Sequence, residues 1–74
     1  MNVKFINAYS QKIIYEKNIS DESFIITMIN NFVKSDSKPV YIKDFSNSFI
    51  KVEFVNWIKK TESVNEYSYI LFFK

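Results

Sequence analysis

Carboxylates, lysines and hydroxyls are the only reactive side chains in this 74-residue sequence, which contains no His and no Cys. That inventory removes the Ser-His-Asp triad, the thiolate nucleophile and the imidazole acid–base. Gly is absent as well, so no P-loop, dinucleotide fingerprint or nucleophile elbow can form. Glu16, Glu53, Glu62 and Glu66 are scattered, and no spacing brings two of them together. Asp21 and Glu22 could offer oxygen ligands to a hard cation, but they open an apolar helical repeat, where the helix dipole accounts for them. Lys59-Lys60 is the only adjacent pair of lysines and reads as a solvated loop. A Ser-Lys or Glu-Glu site would need a pocket that so short a chain has little room to build beside a core. The expectation is a protein that is not an enzyme and takes no metal and no cofactor.

The elements that must hold these groups are uneven in clarity. The best marked is a helix over residues 21–35. Ser20 is a good N-cap, Asp21 and Glu22 place negative charge in the first turn, and Ile19 with Phe24 form a hydrophobic staple. Ile25, Met28, Ile29, Phe32 and Val33 follow the 3.6-residue period, and the SDSKP stretch with Pro39 ends the helix. Residues 2–9 and 12–17, rich in β-branched and aromatic types, read as a hairpin turning at Tyr9-Ser10-Gln11. Residues 40–44 and 49–58 read as two more strands joined through Asn47. Residues 59–63 read as a polar connection, and 65–73 as the last strand. The fold class is therefore α+β: a small antiparallel sheet in the order ββαβββ with one α-helix packed on one face. Ile50, Phe54, Trp57 and Ile58 also fit helical spacing, which leaves ββαβαβ as the alternative.

Length and composition bound the rest. Residues 1–74 are expected to form a single compact domain, and one this small buries only about 60–65% of its unfolded surface. Phe, Tyr, Met, Ile, Asn and Lys account for 44 of the 74 residues. All six have A/T-rich codons, which points to a low-GC genome and, by association, to a phage or other mobile element. The formal charge of +2 is too balanced for a polycation. No signal sequence, lipidation motif or apolar run long enough for a membrane helix is present. The expected location is cytoplasmic, in the host's cytoplasm if a phage encodes the chain, with no membrane partner.

Alternation within the strands yields the functional expectation. One helix can bury only one face of a sheet. If Val40, Ile42, Ile50, Val52, Phe54, Ile70 and Phe72 point inward, the period of two sends their neighbours outward. That second side would carry Tyr41, Lys43, Lys51, Val55, Trp57, Tyr67, Tyr69 and Phe73, with Lys59 beside them, and is too apolar for solvent. Reversing the faces would return the aromatics to an ordinary core; otherwise a partner must cover them. The reading is a small non-catalytic module that binds another protein and inhibits it by steric occlusion. Trp57, Tyr67 and Tyr69 would be its anchors, with Lys43, Lys51 and Lys59 at the rim. A homodimer, or a self-assembling structural subunit, would cover the same face. A single-stranded nucleic-acid binder is the other alternative, since YSYILFF resembles in its aromatic alternation the base-stacking strand of RNA-recognition modules. It lacks their basic-Gly opening, however, and the chain has no Arg for bidentate contacts.

Overall fold

Two β-rich segments at the start of the chain form the first hairpin, β1 (Asn2–Asn7) and β2 (Ile13–Asn18). The computed structural model describes all of residues 1–74. With no Gly available, side chains shape the turn: Asn7 Oδ1 accepts from the amides of Tyr9 and Ser10 at 2.9 Å each. Gln11 takes the left-handed backbone, with φ 62°. The helix α1 (Glu22–Lys34) follows, and its N-cap is Asp21 rather than Ser20. Asp21 Oδ1 accepts from the Ser23 amide at 3.0 Å, satisfying one of the open donors of the first turn. The cap shift moves Ile19 and Phe24 out of the staple positions, although both still line one cleft beside β2. After the helix, Asp36 and Ser37 reverse the chain with φ of 52° and 65°.

Three strands complete the order ββαβββ: β3 (Pro39–Lys43), β4 (Phe49–Ser63) and β5 (Glu66–Phe73). Residues 49–58 are strand, so the two-helix alternative is discarded. β4 also continues through Lys59–Ser63, which is not a connection but the end of the stretch, begun at Phe54, that pairs with β5. Between β3 and β4, Asp44 Oδ1 accepts from the amides of Ser46 and Ser48 and from the Ser46 hydroxyl. These bonds, led by the Ser46 hydroxyl, hold the Asp44 carboxyl below its ordinary value.

The sheet is mixed, not antiparallel throughout. Its strands lie in the order β2-β1-β5-β4-β3, with β1 and β5 parallel. β1 and β5 carry the apolar sets Val3, Phe5 and Tyr69, Leu71, Phe73, so placing them side by side puts the most apolar surface beneath the single helix. Ile25 and Ile29 close over them, and Ile42 and Phe54 complete the buried set. Phe73 is the hub of an aromatic cluster, with ring centroids of Phe5, Phe32 and Phe54 at 5.1, 5.2 and 5.7 Å, edge-on geometries that aromatic pairs favour. The sheet curls until its ends approach: Tyr15 on β2 packs on Phe45 in the β3–β4 turn, centroids 6.1 Å apart.

Two expectations about the faces are overturned. On β5 the buried apolar residues are Tyr69, Leu71 and Phe73, while Ile70 and Phe72 lie on the opposite side with the buried Ser68. On β4 the register shifts between Phe54 and Asn56. This bulge at Val55 inserts one residue and inverts the phase of the residues after it as far as Thr61, beyond which a second register shift, between Thr61 and Ser63, resets it. Before it, Ile50, Val52 and Phe54 face the helix; after it, Trp57, Lys59 and Thr61 do.

Candidate functional site

The nine residues singled out from the sequence do not form one surface. Tyr69 and Phe73 are 1% and 0% exposed; they are core, because their strand presents odd positions to the helix. Tyr41, Lys43 and Lys51 lie on the helix-free side at the β3 end of the sheet, where Tyr41 pairs with Lys51 and Lys43 with Phe49. Lys43 Nζ sits 5.4 Å from the Phe49 ring centroid. Val55, Trp57, Lys59 and Tyr67 belong to the helix side or the bulge. Val55 and Trp57 remain 45% and 38% exposed, beside a cleft they share with Phe32 and Val33 of α1.

Lys59, Tyr67 and Tyr69 instead join Glu22 in a cluster that pins the start of α1 to the sheet. Glu22 Oε2 accepts from the Tyr69 hydroxyl at 2.7 Å and from Lys59 Nζ at 3.3 Å. Lys59 Nζ lies 4.2 Å from the Tyr67 ring centroid and 5.5 Å from that of Tyr69, within cation–π range. Tyr69 and then Lys59 hold the Glu22 carboxyl below its ordinary value. Tyr69 and Glu22 hold Lys59 above its own. Burial, reinforced by the Glu22 acceptor, raises the Tyr69 phenol. Glu22, Lys59 and the Tyr69 hydroxyl are bonded to one another, so the cluster ties the start of α1 to β4 and β5.

Sequence reasoning expected an apolar helix-free side but missed the residues that form it. Cross-strand register aligns Ile13, Ile6 and Phe72 in one row and Ile70 with Ile58 in the next. Ile13 and Ile58 are 42% and 45% exposed, and Ile6, Ile70 and Phe72 are half-buried. No second layer covers them. Charges of both signs share this side: Lys4, Lys43, Lys51, Lys60 and Lys74 against Glu16, Glu53, Glu62 and Glu66. No three His, Cys, Asp or Glu side chains converge on a common point, and no helix is long and apolar enough to cross a membrane.

Fold and surface thus define an α+β domain of one helix on a five-stranded mixed sheet, with an uncovered apolar sheet face. No family model, no curated protein and no solved structure matches the chain.

Proposed function

We propose that this chain is a non-catalytic protein-binding module that acts by occluding a surface of its partner. The observation that carries this reading is the helix-free sheet face, where Ile6, Ile13, Ile58, Ile70 and Phe72 lie in adjacent cross-strand rows without cover. Contiguous apolar surface rimmed by polar groups is the usual mark of a docking site. Lysines interspersed with carboxylates favour a protein partner over a phosphate backbone, which rewards unbroken positive charge. The anchors are then Ile13 and Phe72, not Trp57, Tyr67 and Tyr69, which lie on the helix side of the sheet.

Affinity capture from the native host, with and without nuclease, tests the reading. The wild-type chain should retain a protein whose recovery is indifferent to nuclease. A variant carrying Ile13→Lys and Phe72→Thr, still folded by circular dichroism, should lose it. Equal recovery by both chains, or recovery abolished by nuclease, sinks the proposal.

A further inference from the structure

Beyond that face, the structure carries a second feature that a sheet normally hides. β3 pairs with β4 only from Phe49 to Glu53, and β5 takes the other side of β4 from Phe54 onward. None of the backbone bonds made outside helices and strands comes from Val55–Ser63. Over those residues the side of β4 away from β5 is an unpaired edge, and every one of them is exposed. Such an edge is a template for another strand. Two lysines could guard it, but Lys59 is drawn onto Glu22 and the Tyr67 ring, leaving Lys60 alone without an ion-pair partner.

The same edge is walled by the helix. Glu22, which reaches Lys59, marks the flank of α1 that faces β4. Ile26 and Val33, four and eleven residues on, follow the helical period along that flank and are 38% and 52% exposed. At its C-terminal end Phe32 and Val33 meet Phe54, Val55 and Trp57 around a cleft of about 290 Å³, whose rim is closed by the polar Asp36, Ser37 and Asn56. An unpaired strand beside a trench with an apolar floor and a polar rim fits an extended chain, whose backbone would continue the sheet while alternate side chains enter the trench.

We infer that the Val55–Ser63 edge binds an extended segment of a partner protein by strand addition. The segment carries apolar side chains two residues apart toward the trench and a carboxylate opposite Lys60. Lys60 stands three residues from Trp57 and so faces the other side of the sheet, which spaces the carboxylate three positions from the nearer apolar residue. A second copy of this chain is the poorer occupant. The trench-side residues of its own edge are Trp57, Lys59 and Thr61, two of the three polar, and a second register shift after Thr61 turns Ser63 to the other side. Antiparallel registers centred on Lys59 or Lys60 set a lysine against itself. A register centred on Thr61 pairs Lys60 with Glu62 but leaves the trench empty.

The probe is a library of nine-residue peptides built on Φ-x-Φ-x-x-Glu and its reverse, where Φ is Val, Ile, Leu or Phe. Binding is followed by amide chemical shifts of the labelled full chain. Saturable shifts should fall on Val55–Ser63 and Val33. Val33→Lys, or N-methylation of alternate peptide amides, should weaken binding at least tenfold, and Lys60→Glu should weaken it severalfold. Ile13→Lys with Phe72→Thr should leave it unchanged, which separates this site from the helix-free face. The inference is overturned by shifts confined to that face, by no saturable shift from either peptide direction, or by the same edge shifts appearing with protein concentration alone.

Discussion

Glu22 accepts two hydrogen bonds on one carboxylate oxygen, and the sign of each shift sets how stability follows pH. Its folded carboxyl titrates below 4.5, so its contribution is present above that pH and fades as pH falls through the lowered value. The Tyr69 phenol is raised above 10.0, so its contribution is complete below that pH and is lost as pH climbs past the raised value. Glu22→Gln should therefore lower the urea midpoint near neutrality, with the gap to wild type closing in acid. Circular-dichroism titrations between about pH 3 and pH 7 check this; a gap independent of pH would show that the carboxylate charge plays no part. Glu22 was legible in the sequence as a first-turn acid. Its bond to Tyr69 was not, because those residues stand 47 positions apart.

At the scale of elements, a chain without Gly must make its tight reversals from residues that carry a Cβ. Gln11, Asp36, Ser37 and Asn47 all adopt positive φ. Asn tolerates that region through local hydrogen bonding, whereas Ser and Gln do so at a cost. Ser37→Gly, at φ 65°, should raise stability by about 0.5–1 kcal/mol, the relief being partly offset by a freer unfolded chain. Asn47→Gly should change it by no more than a few tenths. Denaturant curves at matched pH read both, and a destabilised Ser37→Gly would show that the serine makes contacts of its own there. The helix and the turn at Asn47 were visible from local pattern. The bulge at Val55 was not, because one extra residue leaves no mark in a run where Phe54, Val55, Trp57 and Ile58 are all apolar.

For the whole molecule, the division into a covered and an uncovered sheet face makes neighbouring apolar residues unequal. Leu71 is fully buried and pairs with Trp57; Ile58, the next residue along β4, is 45% exposed. Leu71→Ala should cost about 2–5 kcal/mol through lost contacts and the cavity left behind. Ile58→Thr should stay within about 0.5 kcal/mol, as surface substitutions do. Comparable losses from the two, measured by urea unfolding, would mean that the helix-free face is covered in solution.

What the sequence determined by itself was local: no imidazole or thiol chemistry, a capped amphipathic helix, β-rich segments on either side of it, and more apolar side chains than one helix can shelter. These follow from composition and from periods short enough to read within one element. Tertiary structure alone decided that β1 runs parallel to β5, that Tyr69 and Phe73 rather than Ile70 and Phe72 are buried, and that β4 keeps a bare edge along the helix. In a strand whose odd and even positions are both apolar, alternation leaves two phases equally acceptable. Pairing register chooses between them, and register depends on residues far away in the chain.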